Sequence, residues 1–144
     1  MLLNHQLIRQ HVRQSLLADF GEVLIELMLP WPPTELSPNG RLHWARAYKA
    51  KKAYRQACWA ITLDQRKVDT QEIPDGPLVL DLTFVAPNRR SYDRDNLVAR
   101  MKSGIDGMSD ALKIDDKRFS TLAARVSSES LGGFVHVRIS KESE

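Results

Sequence analysis

Two carboxylates stand two residues apart in Ser91-Tyr-Asp-Arg-Asp-Asn-Leu97, where a loop gives way to a helical pattern, and two more follow in Asp115-Asp116. Short acidic side chains held in a constrained turn are the donors a hard cation prefers. Mg²⁺ takes one or two carboxylates and keeps waters that phosphate oxygens can displace. Such an ion stabilises charge on a scissile phosphate and lowers the pKa of bound water. Asp93 and Asp95 are therefore the first candidate metal ligands and catalytic acids, with Asp116 returning across the fold as the third. The same residues also have a plain structural use. Asp95 or Asn96 suits a helix N-cap, and Asp115-Asp116-Lys117 suits a turn before a strand.

The helix expected over about residues 96–112 must position these groups. Leu97, Met101, Ile105, Met108 and Leu112 fall on one stripe that faces the core. Asp95, Ala99, Lys102 and Asp106 fall within about 60° of one another on a different face. Helical side chains lean toward the N-terminus, so Lys102 is expected to lean toward Asp95, with Asp106 beneath it. A lysine placed there neutralises negative charge developing on phosphate.

The remaining elements follow from periodicity and punctuation. Residues 1–18 carry Leu2, Leu3, Leu7, Ile8, Val12, Leu16 and Leu17 at helical spacing. Val23–Leu29 alternates as a strand with one buried face, ended by Pro30, Pro32 and Pro33. Asn39-Gly40 marks a turn. The longest helix runs from Trp44 to about Lys67, with Trp44, Tyr48, Ala53, Ala57, Ala60 and Ile61 expected on its inner side. Leu78–Val85 reads as a strand. Phe119–Val126 and Phe134–Ile139 read as two more, joined as a hairpin near Gly132-Gly133. The predicted order α-β-α-β-α-β-β defines an α+β domain, a mixed sheet with helices packed on it. Residues 1–20 form a helical extension and residues 21–144 the single main domain.

The 144 residues fit one domain. The formal net charge is +3, a surplus that leaves the rest of the surface more basic if the acids cluster. The single cysteine, Cys58, cannot form an intramolecular disulfide and reads as a packing residue in a reducing, cytoplasmic setting. No apolar run approaches the roughly 18 residues of a membrane span. The start of the chain, with His5, Arg9, His11 and Arg13, is unlike a signal peptide.

Leu29-Pro-Trp-Pro-Pro33, then Asp93-Arg-Asp-Asn-Leu97, then Asp106, then Asp115-Asp116 together resemble the RusA family of Holliday-junction resolvases, over roughly residues 23–140. The resemblance implies a small homodimeric endodeoxyribonuclease of bacteria and their phages or prophages. It would be Mg²⁺-dependent, with Mn²⁺ as a substitute, and would act in DNA recombination and repair. It would nick four-way DNA junctions in symmetric pairs, with no nucleotide cofactor and no membrane partner. It places Asp93, Asp95 and Asp116 on the family's catalytic acids. The family's essential lysine, four residues after the second acid, falls here on Ala99. Three residues inserted after Leu97 would move that role to Lys102 and match Asp106 to a family aspartate; Arg100 is the weaker candidate.

Junction phosphates call for lysine and arginine. The candidate DNA contacts are Arg41, His43, Lys52, Arg89, Arg90 and Arg100, with Arg89 and Arg90 nearest the acids. Trp44 could stack on an unpaired base, although a partly buried helix start is the simpler expectation. Two further functions stay open: a non-catalytic junction-binding or DNA-binding protein on the same fold, and a metal-dependent nuclease that prefers flaps or forks.

Overall fold

The alternation of Ile25, Leu27 and Leu29 with Leu24, Glu26 and Met28 becomes strand β1 (Val23–Pro30) in the computed structural model, which describes residues 23–38, 43–129 and 132–142. A 3-10 turn (Thr34–Leu36), α1 (Trp44–Arg66), β2 (Leu78–Val85), α2 (Arg94–Arg100) and α3 (Lys102–Leu112) follow. A second 3-10 turn (Asp116–Arg118) leads into β3 (Phe119–Val126) and β4 (Phe134–Lys141). The class is the expected α+β, with one mixed four-stranded sheet in the order β1-β4-β2-β3. The helix expected over residues 1–18, the Asn39-Gly40 turn and Arg41 lie outside the described residues.

The hairpin expectation is corrected. β3 and β4 are not neighbours: β4 lies antiparallel between β1 and β2, while β3 runs parallel to β2 on the far edge. Burial explains the choice. Residues 134–140 of β4 are buried on both faces, as a central strand must be, whereas Leu122 of β3 stays 46% exposed. Gly132 and Gly133 do adopt positive φ (96° and 77°) but turn the chain over β2 rather than into a two-strand hairpin.

Leu78, Leu80, Leu82 and Phe84 of β2 point to the helical side with Ile25, Leu27 and Leu29 of β1 and Val135, Val137 and Ile139 of β4. Leu97, Met101, Met108 and Leu112 meet them there, the stripe expected from the sequence. The opposite sheet face is polar and also buried. His136 lies 2.7 Å from Glu26, and Asp81 lies 3.6 Å from Arg125 and 3.9 Å from Arg138. This row crosses all four strands; its geometry fixes register more than it adds stability, because desolvation offsets most of a buried ion pair's attraction.

The inner side of α1 differs from expectation. Tyr54, Cys58 and Thr62 are buried, with Ala50 and Ile61 beside them, while Trp44 is 75% and Tyr48 65% exposed. The cause lies on α3. A Cβ added at Gly107 would sit 2.1 Å from the Arg55 carbonyl oxygen, and one at Gly104 would sit 2.5 Å from the Tyr54 ring. The two glycines let the helix backbones close, which selects the Tyr54–Cys58 face of α1 as the inner one. Burial then pushes the Cys58 thiol up to about 12, so it is a packing group.

Candidate functional site

The two motifs that stand about sixty residues apart in sequence are joined in space. Trp31, after β1, packs edge-on against Tyr92 with ring centroids 5.2 Å apart, and against Phe84 at 6.1 Å. The Tyr54 hydroxyl donates to the Pro30 carbonyl at 2.7 Å and lies 2.9 Å from the Met101 sulfur. Asn96 Nδ2 donates to Ser37 Oγ at 3.0 Å. Arg100 Nη2 donates to the Pro32 carbonyl and its Nε to the Pro33 carbonyl at 3.3 Å. Arg100 and Asn96 thereby hold the segment after β1 against α2, and the Pro33 carbonyl also accepts the Leu36 N–H at 3.1 Å. Sequence spacing gave no signal for the roles of Asn96 and Tyr54, since their partners come from a distant segment.

Arg100 was expected to reach DNA. It is instead buried, at 6% exposure, with its guanidinium committed to backbone carbonyls, and burial lowers its pKa from the usual arginine value. Those bonds make Arg100 a tie between segments, and it also lines the depression that Lys102 shares. Lys102 is exposed.

Asp93, rather than Asp95 or Asn96, is the N-cap of α2. Its Oδ1 accepts from the Asp95 N–H at 2.8 Å and the Asn96 N–H at 3.3 Å. Asp93 and Asp95 are both exposed, and Arg94 Nε stands 3.4 Å from Asp95 Oδ1. Asp95 lines a depression between α2 and the edge strand, with Arg94, Val98, Leu122, Ala123 and Ala124.

The helix following the acids is interrupted at Met101 (φ −79°, ψ −12°). Beyond it Lys102, Ser103 and Asp106 line a different depression of about 400 Å³, with Ala99, Lys51 and the 35–38 segment. Lys102 and Asp106 thus share a surface as expected, while Asp95 faces another one.

The second acidic pair sits at the other end of the crossover. Lys113 takes the left-handed conformation (φ 58°) and the Ile114 N–H reaches back to the Ser109 carbonyl at 3.1 Å, closing α3 with a Schellman turn. Asp115 Oδ1 then accepts the Lys117 N–H at 2.9 Å, which is the first cause of its lowered pKa. The adjoining Arg118 donates to the carbonyls of Pro74 and Gly76, just before β2. Asp93 follows β2 through the loop 86–92, and Asp95 lies beside Leu122, Ala123 and Ala124 of β3, whereas Asp116 precedes the start of that strand. The structure brings together Asp93 with Asp95, and Asp115 with Asp116. Among the described residues no group of three or more His, Cys, Asp or Glu side chains gathers as a metal centre.

The other expected contacts are on the surface. Arg89 and Arg90 are exposed and line a depression of about 530 Å³ with Asn88, Ser127, Ser128 and Glu129. Asn88 Oδ1 holds that loop by accepting from the Arg90 N–H at 3.0 Å and the Tyr92 hydroxyl at 2.9 Å. Lys52 is exposed on α1. His43 caps α1, its Nδ1 accepting the Ala45 N–H at 3.3 Å.

The fold and these sites define an α+β protein with a mixed sheet, a parallel β2–β3 crossover and acids at both of its ends. A protein of Xylella fastidiosa described only as uncharacterized is 42% identical over 93 residues. That match covers 65% of this chain and 61% of the relative's length. No family model matches the chain. Among the described residues no helix is long and apolar enough to cross a membrane.

Proposed function

We propose that this chain is a Mg²⁺-dependent, structure-selective endodeoxyribonuclease of the RusA type that acts on four-way DNA junctions in recombination and repair. The observation that carries the reading is the tie between its two sequence motifs. Trp31 on Tyr92, Asn96 on Ser37 and Arg100 on Pro32–Pro33 fix the helix start that presents Asp93 and Asp95. Asp93 Oδ2 and Asp95 are a donor pair that suits Mg²⁺, which accepts one or two carboxylates and retains water. When bound, the ion supplies charge stabilisation on phosphate and a more acidic water. Arg89 and Arg90, exposed on the loop leading to the acids, hold the incoming phosphates. Lys102 presents a cation one surface away.

Homodimerisation belongs to the same proposal. Asp116 is the third acid of the proposed site, and the active unit is a two-fold dimer. That symmetry also pairs two sites with two nicks.

A synthetic four-way junction incubated with the protein and Mg²⁺ tests this. Paired nicks by the wild type and none by Asp95→Asn are expected. Binding without cleavage by the wild type overturns the enzyme reading and favours a non-catalytic DNA-binding protein, the reading that Ala99 at the expected lysine position supports. Faster cleavage of flaps or forks at the same salt overturns the junction preference.

A further inference from the structure

Trp44 and Tyr48 are large aromatic side chains one helical turn apart, and neither belongs to the core formed by the described residues. Their spacing puts the two side chains about 6 Å apart along the axis, and Lys51 and Lys52 fall within the same roughly 100° of helix surface. The His43 ring lies beside Trp44, centroids 5.7 Å apart and tilted by 31°, which limits the rotamers of Trp44. Residues 44–56 carry five bases, Arg46, Lys49, Lys51, Lys52 and Arg55, and no acid.

We propose that this face of α1 is a stacking platform for single-stranded DNA. Trp44 and Tyr48 take successive bases, and Lys51 and Lys52 hold the adjoining phosphates. Flat apolar rings interleaved with mobile cations suit a chain of bases on a phosphate backbone, since every base has a face to stack and the phosphates need only neutralisation. A second copy of the chain is the poorer occupant, because a two-fold contact through this face would set lysine against lysine. The platform adjoins the depression that holds Lys102, because Lys51 belongs to the platform and also lines that depression. A strand lying on α1 therefore leads toward Lys102, the cation proposed above. The choice of DNA rests on that proposed function, whereas the platform itself stands on exposure, spacing and charge.

The test measures binding of a labelled oligothymidine by anisotropy at one fixed salt concentration, with tryptophan emission followed in parallel. The wild type is expected to bind with quenched emission. The double variant Trp44→Ala/Tyr48→Ala should lose roughly tenfold or more in affinity, while Trp44→Phe/Tyr48→Phe retains most of it. An oligomer of the same length made of abasic units should bind the wild type as weakly as the oligothymidine binds the double alanine variant. Melting temperatures should stay within about a degree, because both side chains are exposed. Equal affinity of the alanine variant, or equal affinity for the abasic oligomer, overturns the proposal. Tighter binding of an oligouridine overturns the assignment to DNA. A change of oligomeric state in the alanine variant overturns it in favour of a protein interface. Oligothymidine binding through Trp44 without junction nicking by the wild type would sink only the nuclease reading, so the two failures are separable.

Discussion

Asp93 performs one job that is visible and one that is proposed, and two substitutions separate them. As N-cap of α2 its Oδ1 accepts two backbone N–H groups, at 2.8 and 3.3 Å. Asparagine keeps an acceptor in the same place and is as good an N-cap as aspartate, but it loses the negative charge beside the helix N-terminus. Asp93→Asn should therefore cost about 0.5 kcal/mol. Asp93→Ala removes the acceptor as well and should cost about 1–2 kcal/mol. For a chain of 144 residues these are drops of roughly 2 °C and 4–7 °C in Tm. Metal binding divides the variants differently, because both lack the carboxylate charge. If Asp93 holds the cation, both should lose junction cleavage by at least about a hundredfold. Thermal unfolding followed by circular dichroism, and nicking of a four-way junction under single-turnover conditions, measure the two axes on the same preparations. Cleavage by Asp93→Asn at the wild-type rate would refute the catalytic reasoning and leave Asp93 a cap. Equal destabilisation by both variants would refute the cap.

Lys102→Ala should reduce cleavage strongly while moving Tm by less than about 0.5 kcal/mol equivalent, because the side chain is exposed; junction affinity and melting temperature are the accompanying measurements. Arg100→Ala should instead destabilise the fold by about 2–3 kcal/mol, since it strips two carbonyls of a charged donor, and urea unfolding reads this directly. Gly107→Ala should be destabilising by about 1–2 kcal/mol net: the methyl would meet the Arg55 carbonyl oxygen, and that overpacking outweighs the gain in helix propensity. Asp115 has a folded pKa held below the usual aspartate range by the Lys117 N–H. Its stabilising contribution is fully present above about pH 3.9 and fades as pH falls through the lower folded value. Asp115→Asn should accordingly flatten the acid limb of the Tm–pH profile. Cys58, buried and with its thiol pushed up to about 12, should react with iodoacetamide at neutral pH only after unfolding.

Much of this protein is local and was legible in the chain. Alternation drew β1 and β2, and the 3.6-residue stripe of Leu97, Met101, Met108 and Leu112 drew the inner face of α2 and α3. These patterns survive because burial on one side is a one-dimensional signal. The candidate acids were legible too, as residue types at a spacing. The tertiary structure alone decided where they stand. Asp95 lies beside Leu122–Ala124 on the edge strand and Asp116 in the 3-10 turn that leads into the same strand, a consequence of crossover topology that no short spacing encodes. It also decided which cation faces solvent. Arg100 and Lys102 are two residues apart, yet the guanidinium of the first is held by the Pro32 and Pro33 carbonyls of a distant segment, while the second stays exposed. The same holds for the strand order, where the placement of β4 depends on two-sided burial, and for α1. Glycines on α3 chose its inner face and left Trp44 and Tyr48 outside. The sequence determined elements and chemistry by local pattern; packing between distant segments determined which of those chemical groups meet.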